Sequence, residues 1–329
     1  MTILVTGGAG YIGSHMVLAL TEMGEDVVVL DNLSTGYWWA IAPEAKLVEG
    51  DIGDEALLDR IMAEYSFDAV VHFAGSIVVP DSVRDPLGYY LNNTVKSRML
   101  MACAVKAGIA RFIFSSTAAV YGNTAAQPVF EDAPPAPISP YGSSKLMTEW
   151  MLRDAHAAHG LQYLALRYFN VAGGDPKGRI GQSTPRATHL IKVACQAALG
   201  QRDSLEVYGT DYDTPDGTCL RDYIHVSDLI AAHVDALAHL RKGGESGIFN
   251  CGYGKGYSVR EVIKAVERVN GAALAVKYGP RRAGDPAAIV AGAERVRKVL
   301  GWQPRYENLD FIVETALDWE RKLAQRNDG

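Results

Sequence analysis

The chain opens Ile3-Leu4-Val5-Thr6-Gly7-Gly8-Ala9-Gly10-Tyr11-Ile12-Gly13, continues through a helical stretch from Ser14 to Leu20, and reaches Val27-Val28-Val29-Leu30-Asp31. Short apolar runs such as Ile3–Val5 and Val27–Leu30 suit buried parallel strands. The order is strand, glycine turn, helix, strand, acid, which is a βαβ unit shaped for a dinucleotide. Gly7 allows the tight turn, Gly10 lets the backbone approach a pyrophosphate, and Gly13 lets helix pack on strand. The helix N-terminus turns its unpaired N–H groups toward the phosphates. The spacing is G-x-x-G-x-x-G, and such a loop alone can also be a turn that serves packing only. Its βαβ setting and Asp31 favour the dinucleotide. A carboxylate at that strand end can accept from ribose hydroxyls and would repel a 2′-phosphate, so NAD is expected over NADP.

Working outward, Val48-Glu49-Gly50-Asp51-Ile52 ends a third strand, with Asp51 either near the adenine amine or a plain turn residue. Ala69 to Gly75 is a fourth strand ending in the small residues Ala74 and Gly75, where backbone can pass close to a cofactor; its His72 reads as a satisfied core histidine. Pro86 to Ala107 is a long helix with Asn92 and Asn93 near its start, each a helix-bending hydrogen bond or a cofactor contact. Arg111–Phe114 is a fifth strand running into Ser115-Ser116-Thr117. Ligands of open parallel sheets bind beyond the carboxyl ends of the strands, so these hydroxyls are expected to face one.

Beyond the stiff connector Ala133–Pro137 lies Ser139-Pro140-Tyr141-Gly142-Ser143-Ser144-Lys145. Ser139 can cap a helix and Pro140 fits its first turn. Tyr141 and Lys145 then share one face, one turn apart. A free phenol, with a pKa of about 10, is a poor base at neutral pH. A neighbouring cation favours the phenolate, and such a pair can take a proton from an alcohol. By itself Y-x-x-x-K is as easily an ordinary surface pair.

The 329 residues are 48% hydrophobic and 21% charged, with a net charge of −6. This is a globular composition, long enough for one large α/β domain or two, and a poor match to a general nucleic-acid binder. Cys103, Cys195, Cys219 and Cys251 fit no metal or redox spacing, and no metal site is expected. With no basic apolar leader and no long apolar run, a cytoplasmic chain without a membrane partner is expected.

Taken together, Gly7-x-x-Gly10-x-x-Gly13, the Ser/Thr strand end and Tyr141-x-x-x-Lys145 resemble the extended short-chain dehydrogenase/reductase family. Gly7–His15, Asp31-Asn32-Leu33, Glu49–Ile52, His72–Gly75, Arg167-Tyr168-Phe169-Asn170, Arg221–Val226 and Arg281-Arg282-Ala283-Gly284-Asp285 resemble its UDP-glucose 4-epimerase branch over nearly the whole chain. The resemblance implies retained NAD and reversible oxidation of a UDP-hexose at C4, interconverting UDP-galactose and UDP-glucose. It assigns catalysis to Thr117, Tyr141 and Lys145. It places Gly7, Gly10, Tyr11, Ile12, Gly13, Asp31, Asn32, Asp51, Ile52, Phe73, Ala74, Gly75, Asn92, Ser115, Tyr141, Lys145 and Tyr168 at the cofactor. It assigns the UDP-sugar to Thr117, Asn170, His189, Leu190, Tyr208, Arg221, Arg282, Asp285 and Ile289. Arg221 and Arg282 are the diphosphate clamps, Asp285 meets the uridine ribose and Tyr208 lies near the uracil.

The chain departs from the family in three places. Ile77 stands where many members carry a lysine near the cofactor, His189 where they carry an asparagine on the diphosphate side, and Ile289 where bulk limits acetamido sugars. Sugar 4,6-dehydratases carry Asp-Glu after the Thr, whereas Ala118-Ala119 follow it here. The remaining alternatives are a 4-epimerase of another UDP-sugar (UDP-xylose/arabinose, UDP-glucuronate or a UDP-N-acetylhexosamine) and a non-catalytic nucleotide-sugar-binding member of the family.

The fold class expected is α/β: a doubly wound parallel (Rossmann) sheet over residues 1–175, with returning segments around 222–250, and a smaller α/β substrate lobe over 176–329. Ser258 and Glu261 form a capping box for a helix to Asn270. By analogy with the family, the helices near 86–107 and 141–159 form a homodimer interface.

Overall fold

The computed structural model describes residues 1–124, 127–184, 187–282 and 285–327. β1 (Thr2–Thr6) passes through the glycine turn into α1 (Tyr11–Glu22) and returns as β2 (Asp26–Asp31). β3 (Lys46–Glu49), α2 (Glu55–Glu64) and β4 (Phe67–His72) repeat the pattern, with Asp54 capping α2 through Leu57 N–H. The third and fourth strands stop three residues earlier than expected. Gly50 and Asp51 lie in a turn, and the Asp51 carboxylate accepts from Gly53 N at 2.7 Å, which ends the extended run. The single helix expected over 86–107 is segmented. After α3 (Val79–Arg84), α4 (Pro86–Tyr89) passes into a π turn, Tyr90–Val95, and then α5 (Lys96–Lys106). β5 (Arg111–Thr117), α6 (Pro140–His159) and β6 (Gln162–Tyr168) complete the first half. Ser139 caps α6 by accepting from Gly142 N–H, with Pro140 in the first turn and Gly160 (φ 73°) at its end.

β7 (Asn170–Ala172), α7 (Leu190–Ala198), β8 (Leu205–Tyr208) and β9 (Leu220–His225) then leave the sheet. α8 (Val226–Arg241) and β10 (Gly247–Cys251) come back to it. The chain ends with β11 (Gly256–Ser258), α9 (Val259–Asn270), β12 (Val276–Gly279), β13 (Ala288–Ile289), α10 (Glu294–Leu300) and α11 (Leu309–Asn327). The Ser258/Glu261 capping box starts α9 as the sequence predicts.

The main sheet has the order β3-β2-β1-β4-β5-β6-β10, and every pairing in it is parallel. Alternate side chains feed two cores. Ile3, Val5, Val27, Val29 and Val71 pack on the α1/α8 side, and Leu4, Val28, Leu30, Val70 and Phe112 on the α2/α5 side. This is the doubly wound arrangement, and its winding reverses between β1 and β4, where ligands of such sheets bind. The smaller body has its own core, in which Ile191, Cys195, Val207, Val262, Ile312 and Leu317 pack together. Its central strand β9 pairs with β7, β11 and β13. No helix among the described residues is long and apolar enough to cross a membrane.

Candidate active site

The glycine turn is built by close approach. Gly7 sits at φ 72°, and a Cβ on it would lie 2.6 Å from Ala74 N; one on Gly13 would lie 2.1 Å from Gly7 O. Side chains are thus excluded where β1, α1 and the end of β4 converge. Gly10 caps α1 with no side chain of its own, which leaves the first-turn N–H groups of Tyr11, Ile12 and Gly13 as the cradle for an anion. Asp31 holds the turn from the side: its carboxylate accepts from Ala9 N at 2.9 Å and Leu33 N at 2.8 Å. A carboxylate has lone pairs to spare after two such bonds, so ribose hydroxyls can be added. Asp51 is engaged by Lys96 at 2.6 Å and Asn32 at 3.2 Å, while Ile52 is buried beneath it. A cradle that only glycine permits, a bare helix N-terminus and a carboxylate at the strand end fit NAD.

The π turn has a use here. Asn93 accepts from Ser76 N (2.7 Å) and donates to Ser76 O (2.9 Å) and Ser144 Oγ (3.1 Å), and Asn92 donates to Ser76 Oγ (2.9 Å). Both asparagines thereby hold the loop after Phe73-Ala74-Gly75, and Asn93 also ties it to α6 through Ser144. Ile77 on that loop is exposed.

Tyr141 and Lys145 lie one turn apart at the start of α6 and are buried (7% and 3% exposed), as is Thr117 at the end of β5. The Lys145 ammonium donates to Ser115 O at 3.1 Å and lies over the Phe114 ring. Burial pushes it down to about 8. The polar side chain facing the phenol is Thr117, which pulls the Tyr141 pKa down, but burial outweighs it and leaves the phenol at about 12. In the chain alone desolvation is the larger effect, and the expected depression by the neighbouring ammonium does not offset it. Ser115 and Tyr168 share a short hydrogen bond beside this group. His72 lies beneath, buried, with Thr6 Oγ1 at 2.7 Å and Ser97 Oγ at 2.8 Å on its two nitrogens, a core histidine as its sequence setting predicts.

On the other side of the cleft, Arg221 on β9 pairs with Asp285 at 3.0 Å and stands in register with Ile289 on β13. Ile289 is buried among Ala118, Val120 and Leu146, so it joins the smaller body to the Tyr141 end of α6. Arg282 lies 4.3 Å over the Tyr208 ring. Asn170 begins β7 opposite Tyr223, Leu190 begins α7, and His189 stands at the N-terminal boundary of that helix, its Nδ1 3.0 Å from the Gln182 carboxamide. Ala283 and Gly284 lie outside the described residues.

A profile of the NAD dependent epimerase/dehydratase family matches residues 3–252. The chain belongs to that family. It is similar to the UDP-glucose 4-epimerase of Azospirillum brasilense, 61% identical over 98% of this chain and 93% of that one. Among solved structures it is similar to UDP-glucose 4-epimerase from Brucella ovis in complex with NAD (TM-score 0.94, 46% identity, covering 96% of this chain and 97% of that one). It is also similar to UDP-glucose 4-epimerase from Bifidobacterium longum in complex with NAD+ and UDP (TM-score 0.93, 39% identity, 98% of each chain).

Sequence reading misses the support behind the family's Tyr/Lys pair. Glu149, two turns along α6, is buried and bridged by Arg167 at 2.9 and 2.5 Å and by Ser116 Oγ at 2.5 Å. A Glu on a helix and an Arg in a strand carry no local signal of meeting. Two tryptophans are missed likewise. Trp39, stacked on Tyr37, lies 6.3 Å from Trp319 of α11, while Tyr37 N donates to Ala9 O in the glycine turn.

Proposed function

We propose that this chain interconverts UDP-galactose and UDP-glucose by inverting the hexose at C4, with NAD retained at the glycine turn. The observation that carries the reading is the joint enclosure of Thr117, Tyr141 and Lys145 at the carboxyl end of β5. When bound, NAD supplies the acceptor and donor of C4 hydride, and its cationic ring favours an ionised phenol. Tyr141 is the group that takes the 4-hydroxyl proton and later returns it. Thr117 shares that hydrogen bond, and Lys145, held by Ser115 O, supplies the ammonium. Arg221 and Arg282 grip the diphosphate, Asp285 the uridine ribose and Tyr208 the uracil; Asn170, His189 and Leu190 complete the nucleotide side, and Ile289 bounds the sugar. Guanidinium forks match phosphate oxygens in pairs. Holding the nucleotide lets the sugar present either face of C4, with remote binding energy fixing the reacting centre.

The proposal also assigns residues 1–175, with returning segments around 222–250, to a cofactor domain and 176–329 to a nucleotide-sugar lobe; the seventh sheet strand, β10, supports it. A homodimer belongs to the same reading. Helix residues Leu87, Leu91 and Val95, spaced four apart, are exposed, as are Met147 and Trp150 on the adjoining α6. Patches of this kind mark protein interfaces. Four unpaired, buried cysteines agree with a cytoplasmic setting.

The test is incubation of purified protein with UDP-galactose and no added cofactor, followed by chromatography, with UDP-N-acetylgalactosamine and UDP-xylose in parallel. Formation of UDP-glucose is expected. Turnover of a parallel sugar alone would move the assignment to another UDP-sugar, and no turnover even with added NAD would refute catalysis.

A further inference from the structure

Gln182 and Ser183, ahead of α7, are held by charged and aromatic groups that the reaction does not use. Lys192 on α7 and Glu320 on α11 form an ion pair with side chains only 5% and 4% exposed. The same ammonium donates to Gln182 O at 2.7 Å. Glu320 also accepts from Gln196 Nε2 at 3.3 Å, and the adjacent Trp319 donates from its indole to Ser183 Oγ at 3.1 Å. Gln182, itself buried, then presents its carboxamide nitrogen 3.0 Å from Nδ1 of His189.

A carboxamide nitrogen can only donate. With that nitrogen donating, Nδ1 of His189 accepts, which selects the neutral imidazole with its proton on Nε2. We propose that Glu320, Lys192 and Gln182 are positioning residues that hold His189 as a neutral N–H donor toward the diphosphate of the nucleotide sugar. The proposal rests on the reading of His189 as a diphosphate contact. It explains how a histidine serves there: fixed in this tautomer it offers a phosphate oxygen one N–H, as a side-chain amide would. It also gives the buried ion pair a use. Such pairs add little stability over apolar residues of similar volume, whereas removal of one partner alone strands a charge.

The experiment uses the NAD-bound enzyme, UDP as the titrated probe and UDP-galactose as substrate. The variants are His189→Ala, Gln182→Met, the paired replacement Lys192→Met/Glu320→Leu, and Gln182→Met in the His189→Ala background. His189→Ala is expected to weaken UDP binding about tenfold, the scale of one lost hydrogen bond to a charged group. Gln182→Met and the paired replacement should weaken it comparably. The loss should fall in KM rather than kcat, bound NAD should be retained, and Gln182→Met should add nothing once His189 is gone. If the relay variants change melting temperature but leave UDP affinity within about twofold, or if Gln182→Met and His189→Ala add independently, the relay is overturned. If His189→Ala itself leaves UDP binding unchanged, the diphosphate reading of His189 fails and the relay falls with it. Gln182→Met leaves the ion pair intact, so it carries the test should the paired replacement not fold.

Discussion

Replacing Tyr141 with phenylalanine separates chemistry from structure. The ring is buried at the start of α6, and phenylalanine keeps its shape and packing. What goes is one hydroxyl whose polar neighbour is the Thr117 side chain. Removing one member of a neutral hydrogen bond costs on the order of 1 kcal/mol, and here the remaining partner is a hydroxyl that already accepts from Ala119 N. Melting should therefore move by a few degrees at most. The catalytic loss is of another size, because a positioned base contributes typically about 10²- to 10⁴-fold. The high pKa, about 12 in the chain alone, sharpens the point: at pH 7 only about one phenol in 10⁵ is ionised without help, and with the oxygen gone no help can act. The assay is conversion of UDP-galactose to UDP-glucose by the variant, with retained NAD measured by absorbance after denaturation and melting by calorimetry. Full NAD content, near-native melting and turnover down at least about a hundredfold are expected. A variant with native cofactor content that kept more than roughly a tenth of normal turnover would refute the role of Tyr141 as the base.

The competent form pairs phenolate with ammonium; burial raises the Tyr141 phenol and lowers the Lys145 ammonium in the chain alone, and the cationic ring of bound NAD favours the phenolate again. Measured kcat/KM of the NAD-bound enzyme should therefore fall on the acid side as the phenol is protonated, and a profile with no acid limb would contradict the assignment of Tyr141 as base. Glu149→Gln leaves the Arg167 guanidinium buried without its counter-charge, an expected loss of about 3–5 kcal/mol seen as a lower urea midpoint, and an unchanged midpoint would show that the pair is not holding α6 to β6. Leu87→Glu with Leu91→Glu should convert the protein to a monomer by light scattering while the monomer remains folded by circular dichroism; an unchanged mass would place the interface elsewhere.

Much of the first half is legible along the chain because its signals are local. Ile3–Val5, the three glycines and Asp31 each act through backbone geometry or a side chain within one βαβ unit. Ser139, Pro140 and the four-residue step from Tyr141 to Lys145 are likewise read directly from helix geometry. The π turn at Tyr90–Val95 is not, because it answers to Ser76 and Ser144, partners 17 and 51 residues from Asn93.

The sequence by itself therefore determined the glycine turn, the carboxylate at the end of β2 that favours NAD, and the one-turn spacing of Tyr141 and Lys145 on α6. Only the tertiary structure decided how those groups behave. It brought Arg221, Asp285 and Ile289 into one corner, placed Glu149 under Arg167, and closed Lys192 and Glu320 beneath Gln182. It also buried the Tyr141 phenol, which raises its pKa in the chain alone. The physical reason is that solvation and ion pairing depend on what the folded chain removes from water, and the residues that do the removing lie far away in sequence.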